Sequence, residues 1–298
     1  MLRILLHLAP SAFALLIVTG ALAAECPPPT GSVRAMFHEP DVIANRLAFY
    51  DARDREATRA GALRSLFEAA GCPQIAELGD GARRNVLCTV PGGGAGAIVV
   101  GVSQTFDSPG SAALLSSLAE SLAVAQRNHT FHWVAFSAHE TWADKSQRAQ
   151  KPKGASRWLE ALTPAERANV RAMIHLGPMG FGPVWVHPPG ADDRLRCPLE
   201  HAARAARLPL GSPDQLRREC GGGPGVVECE YNAHWQGGND WQPFRRIEMP
   251  VFGIHTGNQR KLGGAQGGDA YFASYRMLIV FLALADQELA RQSTASTP

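Results

Sequence analysis

Four short polar clusters, each standing just after an apolar run, hold most of the chemistry this chain can offer. Ser103-Gln104-Thr105-Phe106-Asp107 follows AIVVGV, and Ser137-Ala138-His139-Glu140 follows HTFHWVAF. Gly177 follows RAMIHL, which carries His175, and His255-Thr256 closes EMPVFGIHT. A fifth cluster, Gly238-Asn239-Asp240-Trp241-Gln242-Pro243-Phe244, precedes the last of these runs. Imidazoles and carboxylates in this number suit two kinds of chemistry. They can ligate a cation such as zinc, or they can exchange protons as an acid–base pair, here His139 with Asp107.

Each group also has a plainer use. His139-Glu140 can be the solvated end of a strand, and His132 and His175 can be hydrogen-bonded core histidines. Asp107 can cap a helix starting near Ser111, because a helix N-terminus favours Asp and Ser. Trp235, Trp241 and Phe244 can line an apolar pocket or pack beneath a long loop. His187, in VWVHPPG, reads as part of a turn. Serine-hydrolase chemistry has no support, since no Gly-x-Ser-x-Gly elbow is present. GGGAG after Val90 opens no helix and lacks a following Lys-Ser/Thr, so it reads as a turn rather than a phosphate loop.

The elements that would position these groups follow from the patterning. Residues 41–71 repeat apolar positions at helical spacing and end on Gly71, a C-cap residue. NVLCTV (85–90) and AIVVGV (97–102), joined by PGGGAG, read as neighbouring strands. SAALLSSLAESLAVAQ (111–126) is a helix and HTFHWVAFS (129–137) a buried strand. Thr163, Pro164 and Glu166 form a capping-box start for a helix that feeds AMIHLGPMG (172–180). A helix over 194–208, an irregular stretch over 211–240, a strand over 248–256 and a closing helix over 273–292 complete the order. Strand–helix alternation predicts an α/β fold, a three-layer α/β/α sandwich on a mostly parallel sheet. Ligands of such sheets sit at the carboxyl ends of the strands, where the polar clusters fall.

This order resembles the zinc aminopeptidases and glutamate carboxypeptidases of metallopeptidase family 28, over roughly residues 40–290. DSPGSAALL, HWVAFSAHE, TPAERANVRAMIHLGPMGFGP and SYRMLIVFLALADQEL fill the slots of that family's helices and strands. The resemblance implies a two-zinc site: a bridging Asp, a His and a further carboxylate for each ion, and a Glu that deprotonates the bridging water. Position by position, most of that site is missing. The first His falls on Ser103, followed by Gln104, and the bridging Asp on Asp107. The general-base Glu falls on His139, and its metal-binding neighbour on Glu140. The Asp of the second metal falls on Gly177, and the last His lies in a loop replaced by QRKLGGAQGGD. Asp107 and Glu140 are the two retained ligand positions. His175 and His255 are candidate substitute ligands for a rebuilt single-metal site. The Asp240-Trp241 stretch resembles the family's loop beside the substrate cleft, so Ser103, Gln104, Gly177, Asp240 and Trp241 are read as cleft residues.

Bulk properties set the remaining bounds. The chain has 298 residues, is 45% hydrophobic and carries 29 basic against 27 acidic side chains, which leaves no nucleic-acid footprint. Arg3, the apolar run from Ile4 to Ala24 and the small residues Ala21 and Ala23 read as a cleaved signal peptide over residues 1–24. The reading leaves one peptidase-like domain over 25–298, exported to the periplasm or secreted, with no membrane span after cleavage. Six cysteines suit disulfides in that setting. Cys72 with Cys88 is the most plausible local pair, and Cys220 with Cys229 would bracket GGGPG.

Three functions follow as expectations. The leading one is an exported peptidase homologue with a dismantled site, binding a peptide or small molecule and holding no cofactor. The alternatives are an active metallo-aminopeptidase with a remodelled zinc site, and a metal-independent hydrolase using the same cleft.

Overall fold

A computed structural model describes residues 26–29, 34–53, 56–80, 84–104, 109–125, 127–137, 154–180, 184–187, 193–211, 240–256 and 268–295. The leader, Asp107, His139, Glu140, Cys220, Cys229 and Trp235 lie outside these residues, as does most of the QRKLGGAQGGD stretch.

The expected helical run over 41–71 is two helices, α1 (Pro40–Asp51) and α2 (Glu56–Ala69). The reason lies in DARDRE, a polar run with no large apolar side chain to bury. The Arg59 guanidinium covers the break, donating to the Arg53 carbonyl at 2.9 Å and lying over the Tyr50 ring. Strand β1 (Gln74–Leu78), absent from the sequence reading, follows as a half-exposed edge. Next come β2 (Asn85–Val90), β3 (Ala97–Ser103), α3 (Pro109–Ala123), β4 (Thr130–Phe136) and a further unexpected helix, α4 (Gly154–Ala161). The capping box holds: Thr163 Oγ1 accepts from the Glu166 amide, and Glu166 accepts from the Thr163 amide at 2.7 Å. The helix it starts, α5 (Pro164–Asn169), stops early, and β5 (Val170–Leu176) begins at once. Val184–His187 is strand β6 rather than a turn. Helices α6 (Arg196–Ala205) and α7 (Gln242–Arg246), strand β7 (Val251–Thr256) and helix α8 (Asp269–Ala295) complete the order.

The seven strands form one sheet in the order β1-β2-β4-β3-β5-β7-β6. Strands β4, β3, β5 and β7 pair in parallel, while β2 and β6 run against them, so five of the seven share a direction. Strands β2 and β3 are not neighbours, contrary to the reading of PGGGAG as a turn between paired strands. Strand β4 lies between them, and the glycines cross its amino end. Gly93 and Gly94 donate to the Arg127 and Asn128 carbonyls, and a Cβ at Gly92 would lie 2.2 Å from the His129 carbonyl oxygen. Only a chain without side chains passes that close.

Alternate residues of the inner strands face two apolar layers. Ile98, Val100, Val102, Ile174, Leu176 and Ile254 pack with α1, α2, α3, α6 and α8. Val99, Val134, Phe136, Met173 and Val251 pack with α4 and α7. Helices therefore cover both faces, as the sequence reading requires. Among the described residues no helix is long and apolar enough to cross a membrane.

Two disulfides tie the frame. Cys72 joins Cys88, the expected local pair, and Cys26 joins Cys197, a link of 171 residues that the sequence reading did not single out. Both fit an oxidising compartment.

At the amino edge of the sheet, the nearly buried Asp286 of α8 holds the start of β4. It accepts from the amides of Asn128 and His129, from the Asn128 carboxamide and from His129 Nδ1, all within 3.0 Å.

Candidate functional site

The parallel strands end together. Val102 pairs with Ala135 and Leu176, and Leu176 with Ile254, so Ser103, Phe136, Gly177 and His255 stand in one row at the carboxyl edge. Period-two alternation turns this row toward α4 and α7, with Gly101, Val134, His175 and Gly253 in the row beneath. The geometry thus brings Ser103, Gly177, His175 and His255 onto one face.

Their surroundings differ. His255, 1% exposed, stacks on Trp185 of β6 with ring centroids 6.3 Å apart. Trp185 is covered in turn by the Gly211 backbone, where a Cβ would meet the indole at 2.3 Å. His175 is buried between glycines, with Gly101 and Gly253 as its partners on the adjoining strands. Gly101 is needed there, since a Cβ would lie 2.5 Å from the Phe136 ring and 2.6 Å from the Met173 methyl. Gly177 spends its backbone on the frame: its amide donates to the Ile254 carbonyl, and its carbonyl accepts from the Ser111 hydroxyl. Thr256 receives the Gly180 amide on its hydroxyl.

The cluster before β7 splits in two. Asp240 is 1% exposed, an unusual state for a carboxylate, and so a functional candidate. Phe244 is core rather than pocket lining, stacked on Trp158 at 5.7 Å and edge-on to Phe136 at 6.0 Å. Trp241 packs partly buried on the same layer. His132 belongs to this layer as well. Its Nδ1 lies 3.0 Å from the Thr89 hydroxyl, its ring meets Trp158 edge-on, and burial lowers its pKa. It is a bonded core histidine, as its place in an apolar strand suggested.

Side-chain amides complete the edge, and sequence reasoning missed one of them entirely. Gln104 Nε2 donates to the Ala135 and Arg84 carbonyls at 2.8 and 3.1 Å, while its Oε1 is buried without a hydrogen-bond partner. The Ser103 hydroxyl is likewise buried and unbonded. Asn85, fully buried at the start of β2, accepts from the Ser137 amide and donates to the Gly154 carbonyl. No local signal marks Asn85, because its partners lie 52 and 69 residues away.

The donor set at the described strand ends does not fit two zinc ions. Gly177 offers no side chain and Ser103 only a hydroxyl, whereas stable zinc sites use imidazole, thiolate or carboxylate. Among the described residues no three His, Cys, Asp or Glu side chains gather closely enough to hold a metal ion.

The fold has clear counterparts. LapA aminopeptidase of Legionella pneumophila matches 83% of this chain and 72% of its own, with TM-score 0.59 and 12% identity. The glutaminyl cyclase of an Acidobacteriales bacterium matches 89% of this chain and 99% of its own, with TM-score 0.58 and 14% identity. The Bacteroides thetaiotaomicron glutaminyl cyclase, solved with N-acetylhistamine, gives 84%, 99%, 0.60 and 11%. By sequence, no family model and no curated protein matches the chain. The chain therefore has the mixed α/β fold seen in LapA aminopeptidase and in glutaminyl cyclases. At these identities the likeness defines the fold alone.

Proposed function

We propose that the chain is an exported relative of metallopeptidase family 28, with residues 1–24 as its leader and 25–298 as one domain. Its carboxyl-edge cleft binds a peptide or small molecule instead of running two-zinc hydrolysis. The observation that carries this reading is the pair of adjoining strand ends at Ser103 and Gly177. The resemblance puts one metal ligand at each, and neither residue supplies a zinc donor of useful strength. His139 in place of the general-base Glu points the same way, because a neutral imidazole beside a cation would compete as a ligand rather than take a proton.

Incubation of the mature protein with a panel of aminoacyl-nitroanilides, with and without chelator, tests this. The reading requires no turnover that a chelator abolishes and zinc restores. Such turnover would end it.

One observation favours a second reading. His175 and His255 are both buried on the same face of the sheet, one row apart on adjoining strands. Two imidazoles there could replace lost donors around one ion, with Asp107, Glu140 and His139 completing the set. A protein that binds one zinc, and loses it in both His175→Ala and His255→Ala while remaining folded, would favour that reading over the first.

A further inference from the structure

Ahead of the first helix the chain is fastened at two places on the outer helical layer. Within residues 26–29, Cys26 is bonded to Cys197 of α6, and the Pro27 carbonyl oxygen lies 2.8 Å from His201 Nε2. Within residues 34–39, the Met36 amide donates to the Ser121 carbonyl of α3 at 3.1 Å, and the His38 amide donates to the Tyr275 hydroxyl of α8 at 3.0 Å. That hydroxyl lies 2.7 Å from Ser121 Oγ, which donates to the Ser117 carbonyl. Phe37 is 45% exposed, with the Arg276 guanidinium over its ring. After Glu39 the chain enters α1. Few bonds therefore hold residues 34–39 against α3 and α8.

One titratable ring stands at this fastening. The His38 side chain, 9% exposed, faces Glu120 of α3, Arg46 of α1 and the Tyr275 ring of α8. Its Nε2 is buried 3.1 Å from Glu120 Oε2, off the line of a hydrogen bond. The same carboxylate oxygen already accepts from Arg46 Nη2 at 2.6 Å, while Arg46 Nη1 donates to Ser117 Oγ at 2.9 Å. A proton on His38 would thus bring a second cation to one oxygen, beside Arg46 and largely out of water. Burial, the largest influence, lowers the His38 pKa; Glu120 opposes it and Arg46 adds to it. Burial raises that of Tyr275, so the phenol keeps its proton throughout.

We infer that residues 34–39 form an acid-released strap: charging His38 loosens them from α3 and α8, while the Cys26–Cys197 disulfide keeps the chain ahead of them on α6. Released, His38 regains water and its ordinary proton affinity, so acid favours the released form. Docking is fully favoured above pH 6.5 and weakens as pH falls through the lowered docked value. His201 does not act in this sense, because imidazole can donate to the Pro27 carbonyl whether neutral or charged.

Residue-resolved amide exchange and histidine ring NMR on the mature chain test this from about pH 8 to about pH 5, with exchange scaled at each pH to unprotected backbone. Protection of the Met36 and His38 amides should fall about five-fold or more as the pH drops. The Asn128 and His129 amides, held by Asp286 away from the strap, should keep theirs. The His38 ring should titrate below 6.5, and the strap should lose its protection between 6.5 and that midpoint. His38→Gln keeps the backbone donor and removes the titration, so its protection should stay level. A His38 midpoint at or above 6.5 overturns the inference. So does Met36 protection that changes by less than about two-fold, or an equal fall in His38→Gln. The first two readings need only the wild-type chain, so they decide the matter even if His38→Gln does not fold.

Discussion

The two edges of the parallel sheet hold their buried polar groups differently. At the amino edge Asp286 accepts four hydrogen bonds, from two backbone amides, a carboxamide and an imidazole, and so fixes the turn into β4. At the carboxyl edge the Ser103 hydroxyl and Gln104 Oε1 are buried with no hydrogen-bond partner, whereas the atoms left unpaired beside the amino edge are one Nε each of Arg127 and Arg171. A buried unpaired polar atom costs about 1–3 kcal/mol, and proteins seldom carry one without a reason. The amino edge is gathered on one carboxylate. The carboxyl edge leaves two uncharged groups unpaired where ligands of such sheets sit, as expected of the ligand surface proposed above.

Breaking the amino edge should have the largest effect. Asp286→Ala leaves two amides, a carboxamide and an imidazole without their shared acceptor, and should lower unfolding free energy by about 3–5 kcal/mol in urea denaturation. A loss below about 1 kcal/mol would mean that this edge is no more structural than the other. Removing the Cys72–Cys88 link, a closure of 16 residues away from either edge, should cost about 3 kcal/mol and provides a reference.

A smaller effect is written in pH. Burial lowers the pKa of His132, and burial first, opposed in part by Glu120, lowers that of His38. The unfolded chain then binds protons near pH 6.5 that the native one refuses. Their stabilising contribution is present above that pH and is lost as pH falls through the lowered native values. Melting temperature should therefore fall from pH 8 to pH 5, and less so in His132→Gln. The smallest effect should come from Ser103→Ala, which removes a buried unbonded hydroxyl and should raise stability by about 1 kcal/mol, the low end of the cost of an unpaired polar group. A loss of 2 kcal/mol or more would show the hydroxyl to be structural after all.

Much of the frame was legible because hydrophobic period and cap chemistry are local. The buried run AIVVGV is a central strand, the Thr163–Glu166 box starts its helix, and Cys72 meets Cys88. Pairing order was not legible. PGGGAG gives the chain freedom to turn but does not say what it turns around, and here it crosses β4. QIAEL is too polar to read as a strand, and forms one only by pairing with β2 at the sheet edge. The site divides in the same way. Ser103 and Gly177 could be placed because strand ends follow from strand patterns. Asn85 could not, because a polar residue opening a strand looks ordinary until its distant partners are seen.

Metal retention tests the proposed loss of two-zinc binding most directly. The mature protein would be equilibrated with excess zinc, dialysed against metal-free buffer and assayed for zinc per chain. Strand ends that carry Ser103 and Gly177 predict a small fraction of one ion per chain, with no peptide cleavage that a chelator halts. Two ions retained per chain, with cleavage that stops when they are stripped out, would contradict it.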